Sequence, residues 1–134
     1  MIATDGIDEG SLERLVTRFY ARVRADRDLG PIFEGAIDDW PAHLEKLAAF
    51  WSSVMLRTGR YRGNPMAAHL RHGARLSRPM FERWLALWSE TAGEVMPPAG
   101  AAALRAKAAR IAESLQFGLA FDAARSSTPG RTPA

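Results

Sequence analysis

The three histidines of this 134-residue chain are its only imidazole side chains, and the chain has no cysteine. Any transition-metal chemistry would therefore depend on these imidazoles, with methionine sulfur as the other soft donor. His69 is the first candidate ligand because it closes the run from Tyr61 to His69, which contains Gly63 and Pro65 and separates two apolar helical segments. The chemistry of the chain depends on what His69 binds.

Each histidine also has a simpler interpretation. His69 fits a surface residue beside a basic loop, and His43 fits a core histidine that donates to a backbone carbonyl. His72 lies three residues after His69 and is the rival ligand. A zinc site at His69 and His72 would need carboxylates or further imidazoles, which the neighbouring sequence does not offer. The residues alone leave these alternatives open.

Charge is distributed unevenly along the chain, although the formal net charge is only +3. Residues 1–45 contain ten acidic and five basic side chains, whereas residues 46–81 contain seven basic and no acidic ones. Clustered arginines suit a nucleic-acid surface or an acidic partner. They equally suit a carboxylate-bearing ligand beside His69, which needs fewer cations.

Several classes of protein find no support in the composition. The lack of cysteine excludes disulfides and thiolate catalysis, and neither a phosphate-binding glycine loop nor a GxSxG elbow is present. The N-terminus does not resemble a signal peptide, and no run is long and apolar enough to span a membrane. We expect a cytoplasmic protein with one domain over residues 1–125 and a flexible tail over 126–134.

Apolar residues at helical spacing predict the elements that must position these side chains. The first helix begins at an N-cap at Asp8 and ends at the break over 28–31. Residues 32–33 then form an apolar patch in a predicted linker. The second helix begins within 38–41, where carboxylates and a proline mark a helix start, and stops at 58–59.

A short helix that carries Met66 and His69 follows and ends at Gly73. Another long helix opens at 77–79 and stops at 97–98, and the last runs from about Ala99 to Ala124. No stretch alternates apolar and polar residues as a strand does, so the sequence predicts an all-α fold.

Tyr20, His43 and Trp84 all lie on predicted inward faces and would place hydrogen-bonding atoms in the interior. A buried donor without a partner costs about 1–3 kcal/mol, so something inside should satisfy these atoms. Two histidines on different helices, surrounded by aromatic rings, suit a flat apolar ligand.

Six fragments of the chain, in order and spacing, resemble the group III truncated haemoglobins over about residues 8–121. The fragments are Phe19-Tyr20, Leu29 to Phe33, Trp40 with His43, Phe50-Trp51, Tyr61 to His69, and Phe81 to Leu85. The chain also lacks the paired-glycine signatures of the other truncated groups, as the third group does.

The resemblance implies a truncated globin, a two-over-two helical sandwich around haem b (iron protoporphyrin IX). By position, His69 would be the proximal iron ligand and His72 would lie outside the site. Tyr20 and Trp84 would be distal hydrogen-bond donors, and His43 would be the distal histidine that gates the pocket. Leu47 would join them at the distal ligand-binding site. The remaining haem-pocket residues implied are Phe33, Phe50, Trp51, Tyr61 and Met66.

The basic side chains of residues 46–81 then have an interpretation, because arginines can pair with the haem propionates. Arg71 and Arg75 are the candidates, with Tyr61 as a third. The resemblance implies binding of dioxygen and other diatomic ligands at a pentacoordinate iron, with slow release suited to sensing, detoxification or redox chemistry. Peroxidase or nitric oxide dioxygenase activity stays open and would need a separate electron donor.

The competing hypothesis is a haem-free helical module that uses the basic segment 57–78 to bind an acidic partner. We expect neither nucleic acid nor a membrane as a partner.

Overall fold

The computed structural model describes residues 5–63 and 77–126, with side chains as far as residue 118. This part of the chain is helical and contains no strand, so the predicted all-α fold is confirmed. Its helices are α1 (Glu9–Ala25), α2 (Gly30–Ala36), α3 (Trp40–Leu56), α4 (Arg78–Val95) and α5 (Pro98–Ser126).

Helix α1 begins at the predicted cap, Asp8, which forms a capping box with Ser11. The Ser11 amide donates to Asp8 Oδ1 at 2.7 Å, and the Asp8 amide donates to Ser11 Oγ at 2.9 Å. The amide of Ser11 lowers the pKa of the Asp8 carboxyl, which keeps the cap ionised and able to accept. The same helix buries a stripe at helical spacing, namely Leu12, Leu15, Val16, Phe19, Tyr20 and Val23.

The linker predicted over residues 32–33 is wrong, because these residues lie in α2. Asp26 forms the corner between α1 and α2: its carboxylate accepts from the Leu29 amide at 2.9 Å, and its carbonyl accepts from the Gly30 amide at 2.9 Å. Pro31 is compatible with a first helical turn, where its missing N–H has no intrahelical partner to lose. Seven residues are too few to show helical periodicity in a sequence.

Helix α3 starts at a cap formed by Asp39, whose Oδ1 accepts from the Ala42 amide at 3.1 Å. It ends at Arg57, which adopts the left-handed conformation with φ 59°, directly before the predicted stop at 58–59. Helix α4 follows Ser77 and has Pro79 in its first turn, where a proline is tolerated.

Helix α1 is the centre of the packing, because α2, α3 and α4 all pack against it. Helix α5 packs on α4 instead, where the buried Trp88 indole donates to the Leu104 carbonyl at 3.1 Å. Arg22 joins α1 to α4 by donating to Thr91 at 3.0 Å and to both carboxylate oxygens of Glu94 at 2.7 Å. Within the part of the chain that the structure describes, no helix is long and apolar enough to cross a membrane.

The close approach of α1 and α2 at Gly30 gives a stability test. A Cβ at position 30 would lie 2.5 Å from the Arg24 carbonyl oxygen, whereas one at Gly10 would meet nothing closer than 3.6 Å. We expect Gly30→Ala to lower the free energy of unfolding by about 1–3 kcal/mol, as overpacking does. Gly10→Ala should leave it unchanged or raise it by up to about 1 kcal/mol. Chemical denaturation measures both, and equal effects of the two substitutions would contradict the close approach.

Candidate functional site

The Tyr20 hydroxyl belongs to a buried residue among the predicted site residues. Tyr20 is 5% exposed and lies on the inner face of α1. Burial raises the pKa of Tyr20 to about 12, and a side-chain hydrogen bond with Trp84 opposes that increase in part. The phenol therefore keeps its proton at neutral pH and can donate a hydrogen bond.

Three aromatic rings from α2 and α3 surround Tyr20. Its ring centroid lies 5.9 Å from Phe33, 6.0 Å from Trp40 and 6.0 Å from His43. His43 lies in the first turn of α3, is half-buried, and meets the Tyr20 ring edge-on. The predicted trio of Tyr20, His43 and Trp84 thus comes together around one hydroxyl, and we call these three residues the distal cluster.

Phe19 determines where Trp84 lies relative to Tyr20. The Phe19 ring is fully buried and meets Tyr20 at 4.7 Å, Trp84 at 5.4 Å and Trp88 at 4.9 Å, each edge-on. Since edge-to-face contacts are the favoured geometry of aromatic pairs, this arrangement sets the spacing of α1 and α4. Trp84 itself stays half-buried beside the Tyr20 hydroxyl.

Six apolar side chains of α2, α3 and α4 are only half-buried, although they pack against the core. They are Phe33, Leu44, Leu47, Phe50, Met80 and Leu85. Phe33 lies on α2, the next three lie on α3, and Met80 and Leu85 lie on α4. All three helices pack on α1. The direct packing of α3 against α4 is slight and includes the stacked rings of Trp51 and Trp88, 4.4 Å apart. Such a surface suits a large apolar molecule with a few polar contacts.

Trp40 provides an independent indication of a bound group. Its indole Nε1 is buried and has no hydrogen-bond partner in the part of the chain that the structure describes. An unsatisfied buried donor costs about 1–3 kcal/mol, and an acceptor on a bound molecule would remove that cost. The guanidinium of Arg24 covers the Trp40 ring at 4.5 Å, and Arg24 Nε also pairs with Glu34 at 2.6 Å.

Sequence reasoning identified Trp40 only as part of an aromatic fragment and missed Arg24. The one available signal was the position of Trp40 directly after the Asp39 cap, a turn before His43. Nothing in the sequence indicates that Arg24, sixteen positions before Trp40, lies over that ring.

The other predicted residues divide into two groups. Trp51 is 3% exposed and stacks in the core, while Tyr61 is half-buried and its amide donates to Ser53 Oγ at 2.8 Å. The predicted ligand and its neighbours lie outside the described residues. These are Met66, His69, His72, Arg71 and Arg75.

Burial of the Tyr20 hydroxyl predicts an unusual titration. Tyr20 and Tyr61 are the only tyrosines, so in Tyr61→Phe the tyrosinate absorbance reports Tyr20 alone. We expect a midpoint near pH 12 in the folded protein and near pH ~10 in denaturant. The pKa of Tyr20 is higher in the folded protein than in the unfolded chain. Its contribution to the free energy of unfolding is therefore complete below pH ~10 and is lost as the pH rises towards 12. A midpoint near 10 in the folded variant would show that the hydroxyl is exposed.

Comparison with known proteins gives the family. No family model matches the chain. Group 3 truncated hemoglobin ctb of Campylobacter jejuni subsp. jejuni is 38% identical over 89 residues, which are 63% of this chain and 69% of that protein. The crystal structure of the group III truncated hemoglobin from Campylobacter jejuni matches 88% of this chain and 95% of that one, with a TM-score of 0.81 and 34% identity.

These matches confirm the resemblance that the ordered fragments indicated, and with it the truncated-globin fold. Haem and iron are implied by the family. The half-buried apolar surface fits such a group, and so does the Trp40 N–H, which has no partner among the described residues. The chain belongs to the group III truncated haemoglobins.

Proposed function

We propose that this protein binds haem b through His69 and holds dioxygen or another diatomic ligand in a polar pocket formed by the distal cluster. The observation that carries the proposal is the buried Tyr20 hydroxyl, hydrogen bonded to Trp84 and in ring contact with His43. A core that needed only packing would gain stability from phenylalanine at position 20, because a buried hydroxyl is costly to desolvate.

The residues that would hold haem come from both sides of the site. Apolar side chains such as Phe33, Leu47 and Phe50 would contact the porphyrin, while Arg71 and Arg75 would pair with its propionates. His69 would supply the imidazole. When bound, haem supplies an iron centre with an open coordination position for a diatomic ligand.

The protein's own contribution is electrostatic. The Tyr20 O–H is a donor in surroundings of low dielectric, where a hydrogen bond to a ligand with partial negative charge is strong. The Trp84 N–H, which can only donate, donates to the Tyr20 oxygen and so makes the Tyr20 proton a stronger donor. Burial keeps the Tyr20 proton in place at neutral pH. Dioxygen should therefore leave slowly, which suits sensing, detoxification or redox chemistry.

His43 and Leu47 lie one turn apart on α3 and are both half-buried. We assign His43 the gating role, because its ring is held edge-on against Trp40 at 5.7 Å and against Tyr20 at 6.0 Å. A rotation of His43 about its side-chain torsions would alter the opening beside the Tyr20 hydroxyl without moving α3.

Loss of the iron ligand is the direct test of haem binding. We expect His69→Ala, mixed with hemin, to lose the Soret band of the wild-type complex, because no other imidazole lies at the position that the family uses. His72→Ala, three residues away, is the matched control and should retain the band. Absorption spectra of both variants and of the wild type decide this. A wild-type protein that stays colourless with hemin would favour the haem-free binding module instead.

Removal of one distal donor tests the pocket. We expect Tyr20→Phe to raise the dioxygen dissociation rate at least tenfold, since a lost hydrogen bond of about 1.4 kcal/mol corresponds to a factor of ten. Phe117→Leu, at a ring of α5 that is 75% exposed and belongs to no proposed site, is the control and should leave the rate unchanged. Stopped-flow displacement of dioxygen by carbon monoxide measures both, and an unchanged rate in Tyr20→Phe would exclude Tyr20 as a major donor.

A further inference from the structure

Three indole rings form a continuous row through the core, beginning at the distal cluster. Trp84 is half-buried, and its ring is nearly parallel to that of the fully buried Trp88, with centroids 6.1 Å apart and an angle of 3°. Trp88 stacks in turn on Trp51 at 4.4 Å and 20°. The row thus crosses from α4 to α3 with each ring in contact with the next.

Two further rings continue the row towards solvent. Phe50 meets Trp51 edge-on at 5.5 Å and Tyr61 edge-on at 5.3 Å. Tyr61 is half-buried in the segment that follows α3, so part of the residue is exposed to solvent. One phenylalanine therefore separates the last buried indole from an accessible phenol.

We propose that this row, Trp84–Trp88–Trp51–Phe50–Tyr61, is a relay that carries an oxidising equivalent from the distal cluster to the surface at Tyr61. The proposal rests on the haem-binding function above, because the pocket is where the oxidant would react. Indoles and phenols are the side chains most readily oxidised by one electron, apart from thiols, and this chain has no cysteine.

The reaction balances with hydrogen peroxide as the oxidant. Peroxide takes up two electrons and two protons, its O–O bond breaks, and two water molecules form. With haem bound, both electrons would come from Trp84 in two successive one-electron steps, and each Tyr61 oxidation would release one of the two protons that peroxide takes up. A one-electron donor such as a small phenol would reduce Tyr61 between the two steps. Trp88 then reduces the oxidised Trp84 by one electron, and Trp51 reduces Trp88. Tyr61 in turn reduces Trp51 through the ring of Phe50. Tyr61 loses its phenolic proton to water as it is oxidised and ends as a neutral phenoxyl radical.

The environment of Trp88 favours onward transfer. Oxidation makes an indole N–H strongly acidic, but the Trp88 N–H donates to the Leu104 backbone carbonyl at 3.1 Å in the buried core. An amide carbonyl is a very weak base, so the oxidised ring keeps its proton and stays a strong oxidant. It is therefore reduced by the next ring in the row.

The two tyrosines differ in how they can release a proton. Tyr61 is half-buried and reaches water, whereas Tyr20 is 5% exposed. Since a phenol becomes a stable radical only when its proton leaves, the accessible Tyr61 is the better terminus. This makes Tyr61 the site where an external reductant would return the electron.

Electron paramagnetic resonance tests the relay in the haem-loaded protein. Ferric wild type, mixed with hydrogen peroxide and frozen rapidly, should show a tyrosyl radical, and tyrosine-linked dimers should form through Tyr61. Tyr61→Phe should abolish both. Trp51→Phe should lower the radical yield several-fold because it breaks the row, and Phe117→Leu, an exposed ring outside the row, should not change it.

Phe50→Leu interrupts the row at a second position, so the test remains decisive if Trp51→Phe disturbs folding. The Soret band and the helix content of each variant report whether it is folded and holds haem. A radical yield on Tyr61 that is equal in wild type, Trp51→Phe and Phe50→Leu would overturn the relay, as would a radical that persists in Tyr61→Phe. Wild type that binds haem but forms no tyrosyl radical refutes the relay alone. Wild type that binds no haem refutes the proposed function.

Discussion

The contacts of the Phe19 ring determine the geometry on which the rest of the structure depends. Phe19 is fully buried and meets Tyr20 on its own helix and both Trp84 and Trp88 on α4. Each such aromatic pair contributes about 0.5–1.5 kcal/mol beyond burial of its area. Because the ring touches α4 at two indoles one turn apart, it sets both the distance between the helices and their register. That register places the Trp84 indole beside the Tyr20 hydroxyl.

The same packing explains why the site is polar at the Tyr20 hydroxyl and apolar elsewhere. Aromatic rings surround the Tyr20 hydroxyl and raise the pKa of the phenol, so that it remains a donor. Trp40 keeps a buried N–H without a partner in the described part of the chain, which costs about 1–3 kcal/mol. A bound group that accepts a hydrogen bond from this N–H would remove that cost.

The sequence predicts the long helices because their caps and apolar stripes are local features. Asp8 and Asp39 cap the helices where expected, and Tyr20 lies on the inner face of α1 as its spacing indicates. The short helix α2 was missed because its seven residues hold less than two complete helical periods. Its start also depends on the hydrogen bond that the Asp26 carboxylate accepts from the Leu29 amide.

Contacts between distant parts of the chain could not be predicted. Arg24 over Trp40 and the stack of Trp51 on Trp88 arise only once α1, α3 and α4 are assembled. The six ordered fragments gave the family, and thereby roles for His69 and the distal cluster.

The proposed function depends most on an iron centre that is open to ligands, and absorption spectra test this directly. Purified protein is reconstituted with hemin, reduced without air, and then exposed to dioxygen. We predict a five-coordinate ferrous spectrum that converts on exposure to a stable six-coordinate one and returns when dioxygen is removed. A ferrous spectrum that is already six-coordinate and does not respond to dioxygen or carbon monoxide would contradict the account.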